Sequence, residues 1–146
     1  MTTENAATTP DKILYTAVAT ATAGREGRVA TDDGRFDLGL ALPKTMGGNG
    51  QGTNPEQLFA AGYAACFGSA LTHVARVKKI AAGPIRVRAE VGIGPRGGGF
   101  GLAVKLVAQI PELDRDAANA LLRAAHEVCP YSNATRGNIP ITLELA

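Results

Sequence analysis

Residues 53–79, TNPEQLFAAGYAACFGSALTHVARVKK, decide the fold of this 146-residue chain. Thr53 or Asn54 offers a side-chain oxygen that can cap a helix N-terminus, and Pro55 suits the first helical position. Small and apolar residues follow, and the next proline is Pro84. The stretch therefore predicts one long helix that ends near Lys79.

The composition of this helix indicates a buried central element. Residues 57–75 contain no Lys, Arg, Asp or Glu, and Ala and Gly dominate them. A membrane-spanning helix needs about 20 predominantly apolar residues. This stretch is rich in small residues rather than strongly apolar, and it includes Gln57 and His73. We expect a core helix packed on several sides, and no membrane.

Alternation of apolar and polar residues predicts strands on both sides of the long helix. The predicted strands are 13–23, 36–42, 85–93, 100–110 and 139–145. A second helix is predicted over 114–128, where apolar residues recur at helical spacing. Since no linker splits the chain, we expect a flexible lead-in over 1–11 and a single α+β domain over 12–146.

Charge and composition exclude several classes of protein. Lys and Arg number 15 against 13 Asp and Glu, aromatic residues make up 5%, and Trp is absent. Neither a basic stripe nor a base-stacking surface is present, so we expect no nucleic-acid partner. Two cysteines are too few for a disulfide-stapled scaffold. Residues 1–10 lack the features of a signal peptide, and we expect a cytoplasmic protein.

Cys66 and Cys129 are the residues with the clearest chemical potential. Both could simply pack as small apolar side chains, because free cysteines are often buried. Alternatively, one thiolate could attack a peroxide and the other could capture the resulting sulfenic acid as a disulfide. An apolar helix would make Cys66 inert unless a cation lay nearby, most plausibly an arginine oriented by a carboxylate. The spacing alone does not choose among ten arginines.

His126 and Cys129 also have the helical spacing of two metal ligands. Metal sites generally need three or four protein ligands, and His73 is the only other histidine. We therefore expect neither a metal nor another cofactor.

Two motifs carry a resemblance to a known family. Residues 54–67, NPEQLFAAGYAACF, and 128–138, VCPYSNATRGN, resemble the two cysteine motifs of the organic hydroperoxide resistance (Ohr) proteins in the Ohr/OsmC family. The similarity extends over nearly the whole chain and includes 24–27 and 91–94. The length of both motifs indicates the Ohr branch rather than the osmotically induced OsmC branch.

The resemblance implies a lipoyl-dependent peroxidase that acts in the response to oxidative stress and reduces organic hydroperoxides, including those of fatty acids. It implies that Cys66 is the peroxidatic and Cys129 the resolving cysteine. Arg25 would favour the Cys66 thiolate, and Glu56 would hold Arg25 in place. The family uses no metal or flavin and takes electrons from dihydrolipoyl proteins or dihydrolipoamide. It forms intertwined homodimers, with curved antiparallel sheets around a long central helix and a second helix.

The spacing of Glu56 and Cys66 sets a geometrical condition. Ten positions correspond to roughly 15 Å along a continuous helix, too far for both to touch one small group. Either the helix breaks near Gly62, or a loop carries Glu56 back, or a second subunit completes the site.

Two other functions remain open from the sequence. The chain could be a thiol–disulfide exchange or redox-sensing protein that forms the same disulfide but reacts slowly with peroxides. The absence of a C-x-x-C motif weakens this reading. It could also be a small-ligand or structural dimer module, in which replacing Cys66 would cost stability but no activity.

Overall fold

The computed structural model describes residues 8–146, so most of the predicted lead-in over 1–11 lies outside the described residues. The described chain forms two compact units that divide after Leu58. Each unit contains one three-stranded sheet. The α+β class is confirmed, whereas the single domain over 12–146 stays a prediction.

The first unit is an antiparallel meander. Its strands are β1, Ala19–Thr22, β2, Arg28–Thr31, and β3, Asp37–Gly39. They pair in the order β1–β2–β3. Short 3-10 helices follow β1 and β3, at Gly24–Glu26 and Lys44–Met46. β2 was not predicted, and β3 is shorter than the predicted strand 36–42.

The predicted first strand, 13–23, is wrong over its first half. Only Ala19–Thr22 pairs with β2, and residues 13–18 lie in no strand of the described chain. Ile13, Leu14 and Tyr15 are 64%, 89% and 78% exposed. The described part of this single chain supplies no surface that covers them.

The long helix, α1, runs from Pro55 to Val77. The Asn54 side chain accepts a hydrogen bond from the Gln57 backbone N–H at 2.8 Å, as an N-cap does. A bridge between Leu40 and Thr53 fixes the chain just before this cap. The predicted helix is confirmed within two residues at each end.

The second unit holds a mixed sheet. β4, Arg86–Arg96, and β5, Gly99–Gln109, pair antiparallel around the two-residue turn of Gly97 and Gly98. β6, Ile141–Leu145, pairs parallel to β5, so the expected antiparallel pairing holds in this sheet only between β4 and β5. Helices separate β5 from β6 in the chain, and such a crossover allows the strand to return in the same direction.

Two helices connect β5 to β6. α2, Arg115–Val128, begins at Asp114, whose side chain accepts the Ala117 backbone N–H at 2.8 Å. α3, Pro130–Thr135, was not predicted, because a proline directly after α2 indicates a helix end. Pro is equally suited to the first position of a new helix, which is the role it has here.

The core of the second unit lies between α1, α2 and the sheet. α1 buries one face, formed by Tyr63, Phe67, Ala70, Leu71, Val74 and Ala75. Its opposite face, which includes Ala61, Ala65 and Ser69, is exposed, so α1 is not packed on several sides within one chain. By length and composition α1 could cross a membrane. The buried aromatic and aliphatic face is instead typical of a core helix.

Candidate active site

The two cysteines face each other within the second unit. Cys66 lies in the middle of α1 and is half-buried, whereas Cys129 is fully buried where α2 ends and α3 begins. Both are free thiols, and the Cys129 thiol donates to Cys66 Sγ across 3.5 Å. A disulfide requires about 2.05 Å, so the sulfurs need to close by about 1.5 Å. The pair is arranged for disulfide formation.

The surroundings of Cys66 disfavour its thiolate. Burial, together with the neighbouring Cys129, raises the pKa of Cys66 to about 11, and the backbone N–H of Tyr131 opposes this change only in part. At neutral pH the thiol therefore stays protonated in this environment. A reactive Cys66 needs a further positive charge, as the sequence analysis anticipated.

Arg25 and Glu56 form a two-pronged ion pair within the first unit. Arg25 Nη1 donates to Glu56 Oε2 at 2.9 Å, and Nη2 donates to Oε1 at 2.6 Å. The Glu56 side chain is only 12% exposed and that of Arg25 35%. The hydrogen bonds from Arg25 lower the pKa of Glu56, and Glu56 raises the pKa of Arg25. Both groups are charged, and the two hydrogen bonds fix the orientation of the guanidinium plane.

A strained turn presents Arg25. Ala23 has a φ of 60° and Gly24 a φ of 53°, so two successive residues adopt the left-handed conformation just before Arg25. Such a conformation is uncommon for alanine and recurs at functional sites. Gly27 closes the turn, where an added Cβ would lie 1.7 Å from the Thr22 carbonyl oxygen. The predicted turn over 24–27 is thus a 3-10 turn that requires glycine at its end.

An open groove of about 720 Å³ reaches Cys66 in the second unit. Ile85, Val128 and Pro130 supply apolar surface to it, and Ser69 and Thr72 supply hydroxyls. Of the aromatic residues near Cys66 in sequence, Tyr63 and Phe67 are completely buried and belong to the core. No sequence pattern indicates the groove, because Ile85 and Val128 come from distant parts of the chain.

The structure brings the predicted site residues together as two pairs, Cys66 with Cys129 and Arg25 with Glu56. α1 is continuous from Pro55 to Val77, so it does not break near Gly62 and no loop carries Glu56. Of the three options for a shared site, completion by a second subunit stays a prediction.

His126 hydrogen-bonds to Ser132, and no group of three His, Cys, Asp or Glu within residues 8–146 is suited to hold a metal ion.

Comparison with known proteins places the chain in a family. Residues 48–144 match the OsmC-like protein family. An organic hydroperoxide resistance protein of Xanthomonas axonopodis pv. citri (strain 306) is 53% identical over 139 residues, which cover 94% of this chain and 98% of that protein. OhrB, an organic hydroperoxide resistance protein of Bacillus subtilis (strain 168), is 48% identical, with 90% and 98% covered. The crystal structure of an organic hydroperoxide resistance protein from Legionella pneumophila matches with a TM-score of 0.90 at 51% identity, covering 92% and 99%.

Fold and site together define an α+β protein with two facing thiols on adjacent helical elements. The chain belongs to the OsmC-like family, in its organic hydroperoxide resistance (Ohr) branch. The resemblance of the two cysteine motifs is thereby confirmed. The names of the relatives support a role in resistance to organic hydroperoxides.

Proposed function

We propose that the chain is a two-cysteine peroxidase that reduces organic hydroperoxides, including those of fatty acids, to alcohols. One observation carries the proposal: the Cys66 and Cys129 sulfurs lie 3.5 Å apart, and Cys66 lines an open groove. Relatives at about half identity are named for resistance to the same class of compound.

The proposed catalytic cycle has three steps. The Cys66 thiolate attacks the distal peroxide oxygen, the O–O bond breaks, and the alkoxide takes a proton to leave as alcohol. Cys129 then attacks the Cys66 sulfenic acid, so that the S–S bond forms, the S–O bond breaks, and water leaves. A dihydrolipoyl dithiol finally reduces the disulfide by thiol–disulfide exchange and is itself oxidised to a cyclic disulfide.

In this proposal Arg25 lowers the pKa of the Cys66 thiol and steadies the peroxide, while Glu56 orients Arg25. The two-pronged ion pair supports these roles, because a guanidinium can bind a carboxylate and still donate elsewhere. The raised pKa of Cys66 in its own surroundings supports a role for such a cation.

The groove supports a preference for bulky hydroperoxides over hydrogen peroxide. Burying one methylene contributes about 0.8 kcal/mol, so a few carbons against Ile85 and Val128 give at least about tenfold in catalytic efficiency. We further propose dihydrolipoamide or a dihydrolipoyl protein as reductant, an intertwined homodimer, and a cytoplasmic location, where thiols are kept reduced.

A turnover assay tests the function. Reduced protein is supplied with dihydrolipoamide and either cumene hydroperoxide or hydrogen peroxide, and the loss of peroxide is followed with time. We expect sustained turnover with a preference for cumene hydroperoxide, which the Cys66→Ser variant lacks. Slow and equal consumption of both peroxides, together with rapid reduction of small disulfides, would favour the exchange or sensing function instead.

A further inference from the structure

A chain of hydrogen bonds connects the elements that carry the two cysteines. Tyr63 Oη lies 2.8 Å from Ser132 Oγ and 3.1 Å from Thr135 Oγ1, and His126 Nδ1 lies 2.8 Å from Ser132 Oγ. Tyr63 and Ser132 are fully buried, and Thr135 is 5% exposed. We call these four residues the Tyr63 network.

The network is attached close to each cysteine. Tyr63 precedes Cys66 by three positions on α1, so the two side chains lie one helical turn apart. Cys129 has an extended backbone that turns the chain sharply from α2 into α3. His126 comes three residues before this corner and Ser132 three residues after it, so their hydrogen bond closes across it.

Arg136 adds a second connection across the same corner. Its guanidinium donates to the backbone oxygen of His126 and, at 2.8 Å, to Asn133 Oδ1. Two contacts therefore span the corner at Cys129: the hydrogen bond between His126 and Ser132, and the one from Arg136 to the His126 carbonyl.

The protons of the network have one consistent direction. Thr135 Oγ1 donates to the Tyr131 carbonyl at 2.9 Å, so it accepts from Tyr63. With the single Thr135 proton directed to a backbone carbonyl, of Tyr131 or of Ser132 at 3.2 Å, the arrangement that gives every bond a proton has Ser132 donate to Tyr63 and accept from His126. His126 accordingly carries its ring proton on Nδ1. Burial, and secondarily the charge of Arg136, lowers the pKa of His126 and favours the neutral ring, against a weaker opposing effect of Glu127.

We propose that the Tyr63 network positions Cys129 for attack on oxidised Cys66, with His126 as a positioning residue that donates from Nδ1 to Ser132. The inference rests on the proposed peroxidase function and adds to it a control over the second step. In this proposal the corner holds the Cys129 backbone while the two sulfurs close by about 1.5 Å. If the corner loosens, the Cys66 sulfenic acid survives longer and a second peroxide oxidises it to the sulfinic acid.

Variants of the Tyr63 network separate peroxide reduction by Cys66 from the later formation of the Cys66–Cys129 disulfide. His126→Leu and Ser132→Ala each remove hydrogen bonds of the Tyr63 network. Tyr63→Phe removes the tyrosine hydroxyl and keeps the ring, and His126→Asn keeps an N–H donor near the Nδ1 position. Arg123→Leu, an exposed residue one turn earlier on α2, is the matched control. Thermal unfolding first verifies that each variant is folded.

Each reduced protein is mixed rapidly with cumene hydroperoxide, quenched, and analysed by intact mass. In the first two variants and Tyr63→Phe we expect unchanged peroxide consumption in the first turnover, but disulfide formation slower by about tenfold or more. A product heavier by about 32 Da, the sulfinic acid, should accumulate. His126→Asn should recover most of the wild-type rate, and Arg123→Leu should equal it. Wild-type disulfide rates in both His126→Leu and Ser132→Ala would overturn the proposal.

Oxidation by diamide, which forms disulfides without a peroxide, separates this proposal from the proposed function. Faster disulfide formation in wild type than in the variants supports positioning even if peroxide gives no sulfenic acid. Equal diamide rates would contradict it. ¹⁵N NMR of the His126 ring gives an independent reading: a proton on Nδ1 supports the network, and a proton on Nε2 alone overturns it.

Discussion

The guanidinium of Arg25 and the carboxylate of Glu56 meet through two hydrogen bonds, the geometry that distinguishes arginine from lysine. Both bonds come from the Nη1–Nη2 edge of the planar group, so the remaining N–H donors point in a set direction. In the proposed mechanism, this fixed orientation directs the positive charge of Arg25 towards the Cys66 thiol.

Replacing Arg25 by Lys keeps the charge but loses the planar fork. We expect Arg25→Lys to lower kcat/KM for cumene hydroperoxide by about tenfold or more, because an ammonium cannot hold both carboxylate oxygens and the peroxide in one plane. Arg28→Lys is the matched control, since Arg28 also makes two hydrogen bonds to a carboxylate, that of Asp37, at an exposed position. Similar activity in both variants would show that the fork of Arg25 is dispensable.

Glu56 makes stability depend on pH. Arg25 lowers its pKa in the folded chain below the ordinary 4.5. The ionised carboxylate therefore stabilises the fold above the pKa of the unfolded state, and this contribution is lost as the pH falls through the lowered pKa. Urea unfolding at pH 7 and at about pH 3 should show a smaller loss of stability for Glu56→Gln than for wild type. Asp37→Asn, which removes a mostly exposed carboxylate, should leave the loss unchanged; an equal loss in Glu56→Gln would refute the assignment.

The turn between β1 and β2 depends on the missing side chain of Gly27. A Cβ there would lie 1.7 Å from the Thr22 carbonyl oxygen, a backbone atom that cannot move away freely. We expect Gly27→Ala to reshape the turn and lower peroxidase activity by about tenfold through the misplaced Arg25. Gly39→Ala, on β3 of the same sheet, meets no atom within 4 Å and should retain activity. A crystal structure of Gly27→Ala with an unchanged Arg25–Glu56 pair would contradict this explanation.

Local signals predicted some elements well and missed others for physical reasons. The Asn54 cap and Pro55 locate the start of α1, and the alternation of β4 and β5 follows a sheet with one buried face. The parallel pairing of β6 depends on a long-range crossover, which periodicity does not encode. α3 was hidden because Pro130 can either end one helix or begin the next.

The residues of the candidate site also include some that the sequence identified and some that it did not. Cys66, Cys129, Arg25 and Glu56 were accessible from the sequence through the family resemblance, whereas residue spacing alone did not select Arg25. His126 and Ser132 are six positions apart on two different helices. Their contact depends on the sharp corner at Cys129, which no local pattern indicated.

Each of the two units leaves apolar residues uncovered in the described single chain. Ile13, Leu14 and Tyr15 are well exposed, and so is the small-residue face of α1. Large exposed apolar patches are rare in soluble monomers, and the proposed homodimer would cover the exposed apolar residues of each unit.

We expect sedimentation to give a dimer for wild type, and Leu14→Asp to shift it towards monomer with a parallel loss of activity. Leu14 is 89% exposed, so the change costs little within one chain. Lys12→Asp, at a neighbouring exposed position, is the control for added negative charge and should remain dimeric. Full specific activity in a verified monomer would remove the idea that a second subunit completes the site.

Intact mass tests the two-cysteine peroxidase most directly. Fully reduced protein receives one equivalent of cumene hydroperoxide, beside a sample with hydrogen peroxide and a Cys66→Ser control. We expect a rapid loss of about 2 Da, two hydrogens, with the organic hydroperoxide, slower loss with hydrogen peroxide, and none in the variant. An unchanged mass, or equally slow oxidation by both peroxides, would contradict it and return both thiols to a role in packing.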